Sequence, residues 1–271
     1  MRLVTPEARE GGSEMQIERR GSLITSPDLW FEVAPPKGGR EHWVVGRSAR
    51  ELAHAWCGSS GPCVPPEVDA LLRSHADLAD VMMGRVLPEH RIRFDNLAGE
   101  PRNADLAIEA RDRHGALAIT VEGKADEPFD RLVRDILETA VYHIASDQRT
   151  GAVTRVQNLA AMLPAWREDL PHLGDLRYQL LTGIAGTLAW ARDIDAGRAV
   201  FVVHEFVGDL NAKHERNASD LNAFVRRLTD GRFTEVPVGK LIGPIGISEQ
   251  HGFSAIPLYV GKARRSIRAA A

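Results

Sequence analysis

With 271 residues and 44% hydrophobic content, the chain can bury a sizeable core as one large domain or two small ones, which excludes a fibrous or wholly disordered protein. A formal net charge of -3 excludes the uniformly basic field of a protein that grips nucleic acid indiscriminately. No run approaches the ~20 apolar residues of a spanning helix, so the expected protein is cytoplasmic and has no membrane partner.

Residues 1–22 are charged, contain Gly and Ser and lack an apolar core, and they read as a disordered segment ahead of a single α/β domain over 23–261. Ser26-Pro27-Asp28 supplies an N-cap followed by Pro at the first helical position, enough for a single turn through Val33. The following APPKGG is either a surface turn or a loop beside the active centre in which Lys37 offers charge to a phosphate. Ser48 and Glu51 have capping-box spacing before Leu52, Ala55 and Trp56, predicting a helix over 49–57. Cys57 and Cys63 follow in a Gly/Ser/Pro loop without zinc spacing and read as free thiols. Pro65-Pro66-Glu67 opens a second helix with Val68, Leu71 and Leu72 inward, restarting over 77–83. Ile92 and Phe94 alternate against Arg91, Arg93 and Asp95, predicting a half-buried strand over 91–97.

The next stretch carries the chemistry. Two apolar runs, Leu106 to Ala110 and Ala116 to Val121, flank the polar turn Asp112-Arg113-His114-Gly115, a strand-turn-strand pattern. Pairing Arg111 with Ala116 sets Leu106 opposite Val121, Ile108 opposite Ile119 and Ala110 opposite Leu117, so one face is apolar. The other face then receives Asp105 opposite Glu122 and Ala107 opposite Thr120, with Lys124 two residues beyond.

Phe129, Leu132, Val133, Ile136, Leu137, Ala140, Val141 and Ile144 follow helical apolar spacing without a gap. Helices are also expected over 154–163 and 175–194, followed by an interior strand over 199–206. In that strand His204 is a hydrogen-bonded core histidine, or a contributor to the site if the strand neighbours the hairpin. Asn217 or Ser219 caps a further helix, two late strands cover 241–247 and 256–260, and the basic residues 262–271 read as a solvated tail. The order gives a mixed β-sheet flanked by helices on both faces. The five tryptophans are scattered and read as packing residues.

Two carboxylates on one sheet face repel each other, and a hard divalent cation with oxygen ligands removes that repulsion. Asp105, Glu122 and the Gly123 carbonyl supply such oxygens. A cation there polarises a phosphate and acidifies a bound water, while Lys124 orients that water or takes its proton. Asp105, then Glu122-Gly123-Lys124 seventeen residues later in this order of elements, resembles the core of the PD-(D/E)XK nuclease superfamily. LWFEVAPPKGG, GRSARELA, GEPRNADL, VEGKADEPF, LRYQLLTG and VVHEF more closely resemble an uncharacterised bacterial family assigned to that superfamily.

The resemblance implies a restriction-endonuclease-like αβββαβ core with N- and C-terminal extensions. It also implies Mg²⁺-dependent hydrolysis of nucleic acid (Mn²⁺ as a substitute), on DNA ahead of RNA, with Asp105, Glu122 and Gly123 at the metal and Lys124 catalytic. Ala104 stands where the motif carries proline. Glu67 is the candidate for the helical acid of many members, and Gln179 for a helical substrate contact. An acid two residues before a lysine is expected about 0.7 times by chance at this composition, so the tripeptide gains meaning only from its place beside Asp105. The competing reading is a catalytically inactive module that retains the fold for binding. Walker, Gly-x-Ser-x-Gly and His-Glu-x-x-His signatures do not occur.

Overall fold

A computed structural model describes residues 15–208, 214–247 and 255–267. It is an α/β structure built on an eight-stranded mixed sheet in the order β2-β1-β5-β6-β7-β8-β10-β9. The strands are β1 (Gln16–Arg19), β2 (Ser22–Leu23), β5 (Met82–Ile92), β6 (Arg102–Asp112), β7 (Gly115–Lys124), β8 (Arg198–Val207), β9 (Leu241–Ile245) and β10 (Leu258–Ser266). A separate two-residue ribbon pairs β3 (Cys57–Gly58) with β4 (Gly61–Pro62). Strands β5, β6 and β7 form an antiparallel meander, and β7, β8 and β10 run parallel.

Alternation along the strands divides the core into two layers. Leu106, Ile108, Leu117, Ile119, Val121, Val200 and Val202 pack under α1 (Pro27–Val33), α2 (Ser48–Trp56) and α3 (Pro66–Arg73). Ala107, Ala118, Ala199, Phe201 and Val203 face α4 (Val133–Ala145), α5 (Ala152–Ala160), α6 (Tyr178–Asp193) and α7 (His214–Leu228). The sheet centre is therefore sealed on both sides, as parallel strands require. Helix α6 lies closest to it, buried from Leu180 to Ala191. Gly183 permits this approach, because a Cβ there would meet Phe201 at 2.9 Å. No helix among the described residues is long and apolar enough to cross a membrane.

The hairpin register is the predicted one, from Leu106 with Val121 to Arg111 with Ala116. Elsewhere the structure differs. The segment 77–83 holds one 3-10 turn, Ala76–Leu78, and then the strand β5, which ends at Ile92 where a strand over 91–97 was expected. A bulge between Met83 and Val86 and the left-handed Glu89 (φ 50°) break the alternation that would have revealed β5. The expected capping box does not form, since Glu51 accepts from the Gly46 amide. Asn217 lies inside α7, its side chain donating to the Glu127 carbonyl. The stripe on α4 is only partly covered, with Val141 and Ile144 exposed.

Both domain boundaries also move. Ile17 is buried in β1, so order begins before residue 22. Strand β10 runs to Ser266 with Lys262 buried, so 262–266 belong to the sheet and not to a solvated tail. Expectations for residues 1–14 and 268–271 lie outside the described residues.

Candidate active site

The ladder between β6 and β7 stops at Leu106 and Val121, one step before Asp105 would oppose Glu122. The strands part there, and the Gly123 amide donates to Asp105 Oδ2 at 2.8 Å. A side chain thus takes up the backbone donor that the parting strands would leave unpaired. Asp105 is drawn toward Gly123, so its Oδ2 lies only 3.4 Å from where a Gly123 Cβ would stand. Direct opposition to Glu122 is replaced by a shared cavity of about 280 Å³, whose lining includes Glu89, Asn103, Asp105, Glu122, Gly123, Lys124, Glu127 and Gln179.

Glu122 is fully engaged. Its Oε1 receives Lys124 Nζ at 3.0 Å and the Gln179 amide, and its Oε2 receives an Arg102 guanidinium N–H at 2.7 Å. All three ionic side chains are buried, Glu122 to 1% exposure. Burial alone would raise the Glu122 carboxyl, but the charges of Lys124 and Arg102 override it and hold the group below its usual range. Burial likewise opposes the Lys124 ammonium, and Glu122 and Asp105 more than offset it, so Lys124 stays charged. Its Nζ also lies 5.2 Å from the Phe129 ring centre. Arg102 fits because Gly186 of α6 has no Cβ, which would stand 2.6 Å from Arg102 Cδ.

Asp105 has no such compensation. Burial, then the Glu122 and Glu89 carboxylates, push it well above the usual carboxylate range, while Lys124 and the Gly123 amide offset this only in part. Glu89 is pushed up to about 7, chiefly by burial, although Asn103 donates to it. Carboxyl oxygens of Asp105, Glu89 and Glu122 line one cavity, the ligand chemistry that a hard cation would take. Among the described residues, no three His, Cys, Asp or Glu side chains converge into a ready metal cage. Loading would reposition Asp105 or loosen the grip of Lys124 and Arg102 on Glu122.

The walls are tied together by Glu127, which accepts from the amide and hydroxyl of Ser48 at the start of α2 and from the Ala125 amide. Trp30, Pro36 and Lys37 line one side, so APPKGG is a surface turn that also borders this cavity, with the Lys37 side chain exposed and paired with Glu100.

Glu67 is not part of this cavity. It pairs with His204 Nε2 at 2.7 Å and with Arg265 at 2.6 Å. His204 sits beside Gly123 in the β7–β8 register, yet its side chain lies on the α3 face as a fully buried core histidine. Gln179 does reach the site, through Glu122. Sequence reasoning missed Glu89, Arg102, Asn103 and Glu127. The β5–β6 pairs Leu87 with Ala107 and His90 with Ala104 bracket Glu89 and Asp105, so recognising β5 would have brought Glu89 to the site.

A family model described as a domain of unknown function (DUF6946) matches residues 23–266. Neither the curated proteins nor the solved structures yield a match to this chain.

Proposed function

The chain belongs to the DUF6946 family, and we propose that it is a Mg²⁺-dependent phosphodiester hydrolase of the PD-(D/E)XK type, acting on nucleic acid and on DNA in preference to RNA. The observation that carries this reading is the convergence of Asp105, Glu122, Gly123 and Lys124 on one cavity with Glu89 beside them. The β5-β6-β7 meander followed by a helical crossover into parallel β8 supports the restriction-endonuclease-like core.

Asp105, Glu122 and the Gly123 carbonyl would hold the cation, with Glu89 adding a further carboxylate. The cation supplies charge to polarise the phosphate and lower the pKa of water. Lys124, kept as an ammonium by Glu122 and Asp105, orients water and faces the charge that develops on phosphorus-bound oxygen, the first of the two roles its position allows. Gln179 and Arg102 fix the Glu122 carboxylate against rotation.

A second reading is favoured by one observation. Glu122 is already neutralised by Arg102 and Lys124, so the cluster is stable without a metal, as in an inactive module retained for binding. Incubating wild type, Asp105→Ala and Lys124→Ala with single- and double-stranded DNA and RNA in Mg²⁺ or Mn²⁺ separates the two. Cleavage by wild type alone is the expected result. Equal cleavage by the variants overturns the assignment of these residues, and no cleavage by any form selects the module.

A further inference from the structure

The protein as a whole is weakly acidic, yet a second cavity, of about 350 Å³, adjoins the candidate active site and carries the opposite charge. Glu89 lines both, so the two cavities are neighbours across this residue. The second cavity lies where the β1–β2 hairpin flanks β5, and its lining includes Arg19, Arg20, Arg85 and Arg91. Arg85 is committed to Glu18 and Glu109. No ion pair is formed by Arg19, Arg20 or Arg91 among the described residues; burial disfavours the charge on Arg19, the nearby Glu89 carboxylate favours it, and Arg20 and Arg91 lie close enough to disfavour it further. Three guanidinium groups without an ion pair among the described residues therefore line one cavity, next to a second cavity lined by Glu89, Asp105, Glu122 and Glu127.

The backbone here is also out of the ordinary. Arg20 and Gly21 form the two-residue loop between Arg19 and Ser22, both with positive φ, 52° and 83°. That is the signature of a mirror-image hairpin turn, which favours Asn, Asp or Gly at its first position. An arginine held in the left-handed region is strained, and such strain concentrates at functional positions. Glu89, at the junction of the two cavities, is left-handed as well.

We propose that this arginine cleft binds the phosphodiester backbone of a nucleic-acid strand and leads it to Asp105, Glu122 and Lys124. The identity of the ligand rests on the hydrolase reading above. Guanidinium groups suit phosphate by bidentate geometry, and their placement beside an acidic cavity separates two roles. The arginines hold flanking phosphates while the carboxylates keep a cation for the bond to be cut. This arrangement also accounts for substrate binding by a chain with no overall basic field.

The test measures binding of labelled single-stranded DNA, duplex DNA and RNA by fluorescence anisotropy across a salt series. Ca²⁺ replaces Mg²⁺ to suppress turnover. Arg20→Glu and Arg91→Glu are exposed substitutions, and Arg192→Glu, on α6, serves as a control. Each cleft variant is expected to weaken binding and to lower the slope of log K against log salt by about 1, while the control leaves both unchanged. Arg20→Gly is expected to lose affinity while raising the melting temperature, a combination that general damage would not give. Binding by wild type with unchanged affinity in the cleft variants overturns the proposal and leaves the hydrolase reading intact. Failure of wild type to bind any of the strands also overturns it, and the cleavage assay then judges the hydrolase reading separately. The three strands identify which nucleic acid the cleft prefers.

Discussion

The Asp105 carboxylate takes its hydrogen bond from the Gly123 amide at 2.8 Å, at the point where the β6–β7 ladder ends. That bond fixes the carboxyl beside Glu122 and Glu89, and the group's raised pKa reflects burial first and those neighbours second. Asp105→Asn keeps an oxygen for the Gly123 amide and removes the charge. Because the carboxyl has a raised folded-state pKa, its ionised form costs stability above the acid range. The variant is therefore expected to melt at a higher temperature than wild type at pH 7 to 8, and to lose any stabilisation by added Mn²⁺. Thermal melts with and without Mn²⁺ check both, and an Asn variant that melts lower in the absence of metal would contradict the electrostatic account.

Arg102 and Gly186 form a second coupled pair, because the arginine lies where an alanine methyl would stand. Arg102→Met leaves the buried Glu122 with a single cation, and breaking a buried pair costs about 3–5 kcal/mol. A chain of this size would lose roughly 10 °C in Tm. Gly186→Ala pushes Arg102 aside and is expected to destabilise in the same direction. In the Arg102→Met background the steric conflict is gone, and the same Gly→Ala change is expected to be neutral or to stabilise by up to ~1 kcal/mol, since alanine favours a helix. Equal effects in both backgrounds would show that Gly186 does not act through Arg102.

Glu89 gives the site a pH signature. Burial raises its carboxyl from 4.5 to about 7, so the folded state holds a proton that the unfolded state has released between these values. Stability is thus highest below pH 4.5 for this group and declines as pH rises to about 7, by an amount on the order of 3 kcal/mol at most. Glu89→Gln is expected to flatten that decline and to be more stable than wild type at pH 8. Urea titrations at pH 5, 6, 7 and 8 measure it, and parallel curves for the two proteins would refute the assignment.

The hairpin was legible because its two runs alternate cleanly and its turn fixes one register, which brought Asp105, Glu122 and Lys124 together without any tertiary information. Helix α6 and strand β8 were legible from long apolar runs. Strand β5 was not, because its bulge and the left-handed Glu89 destroy the period-two signal, and with it went Glu89 and the arginine cleft. The N-terminal hairpin was missed for a related reason: β1 buries one side chain, Ile17, among charged residues. Arg102 lay close to the motif in sequence, but only the packing of Gly186 shows that it is directed at Glu122 and not at solvent.

Glu67 supplies the contrast to the site residues. Burial would raise its carboxyl, but hydrogen bonds from His204 and Arg265 hold it down at about 2. A depressed carboxyl contributes stability that is present above pH 4.5 and is lost as pH falls toward 2. Glu67→Ala would remove that contribution and leave His204, fully buried and already lacking a partner at Nδ1, without one at Nε2 either. The expected cost at pH 7 is about 2–3 kcal/mol, diminishing in acid as wild type loses the same contribution. Since Glu67 lies on the α3 face, outside the cavity of Asp105 and Glu122, cleavage per folded molecule should be unchanged well below the melting temperature. A fall in activity without a fall in stability would return Glu67 to the site and overturn its reading as a buried structural pair.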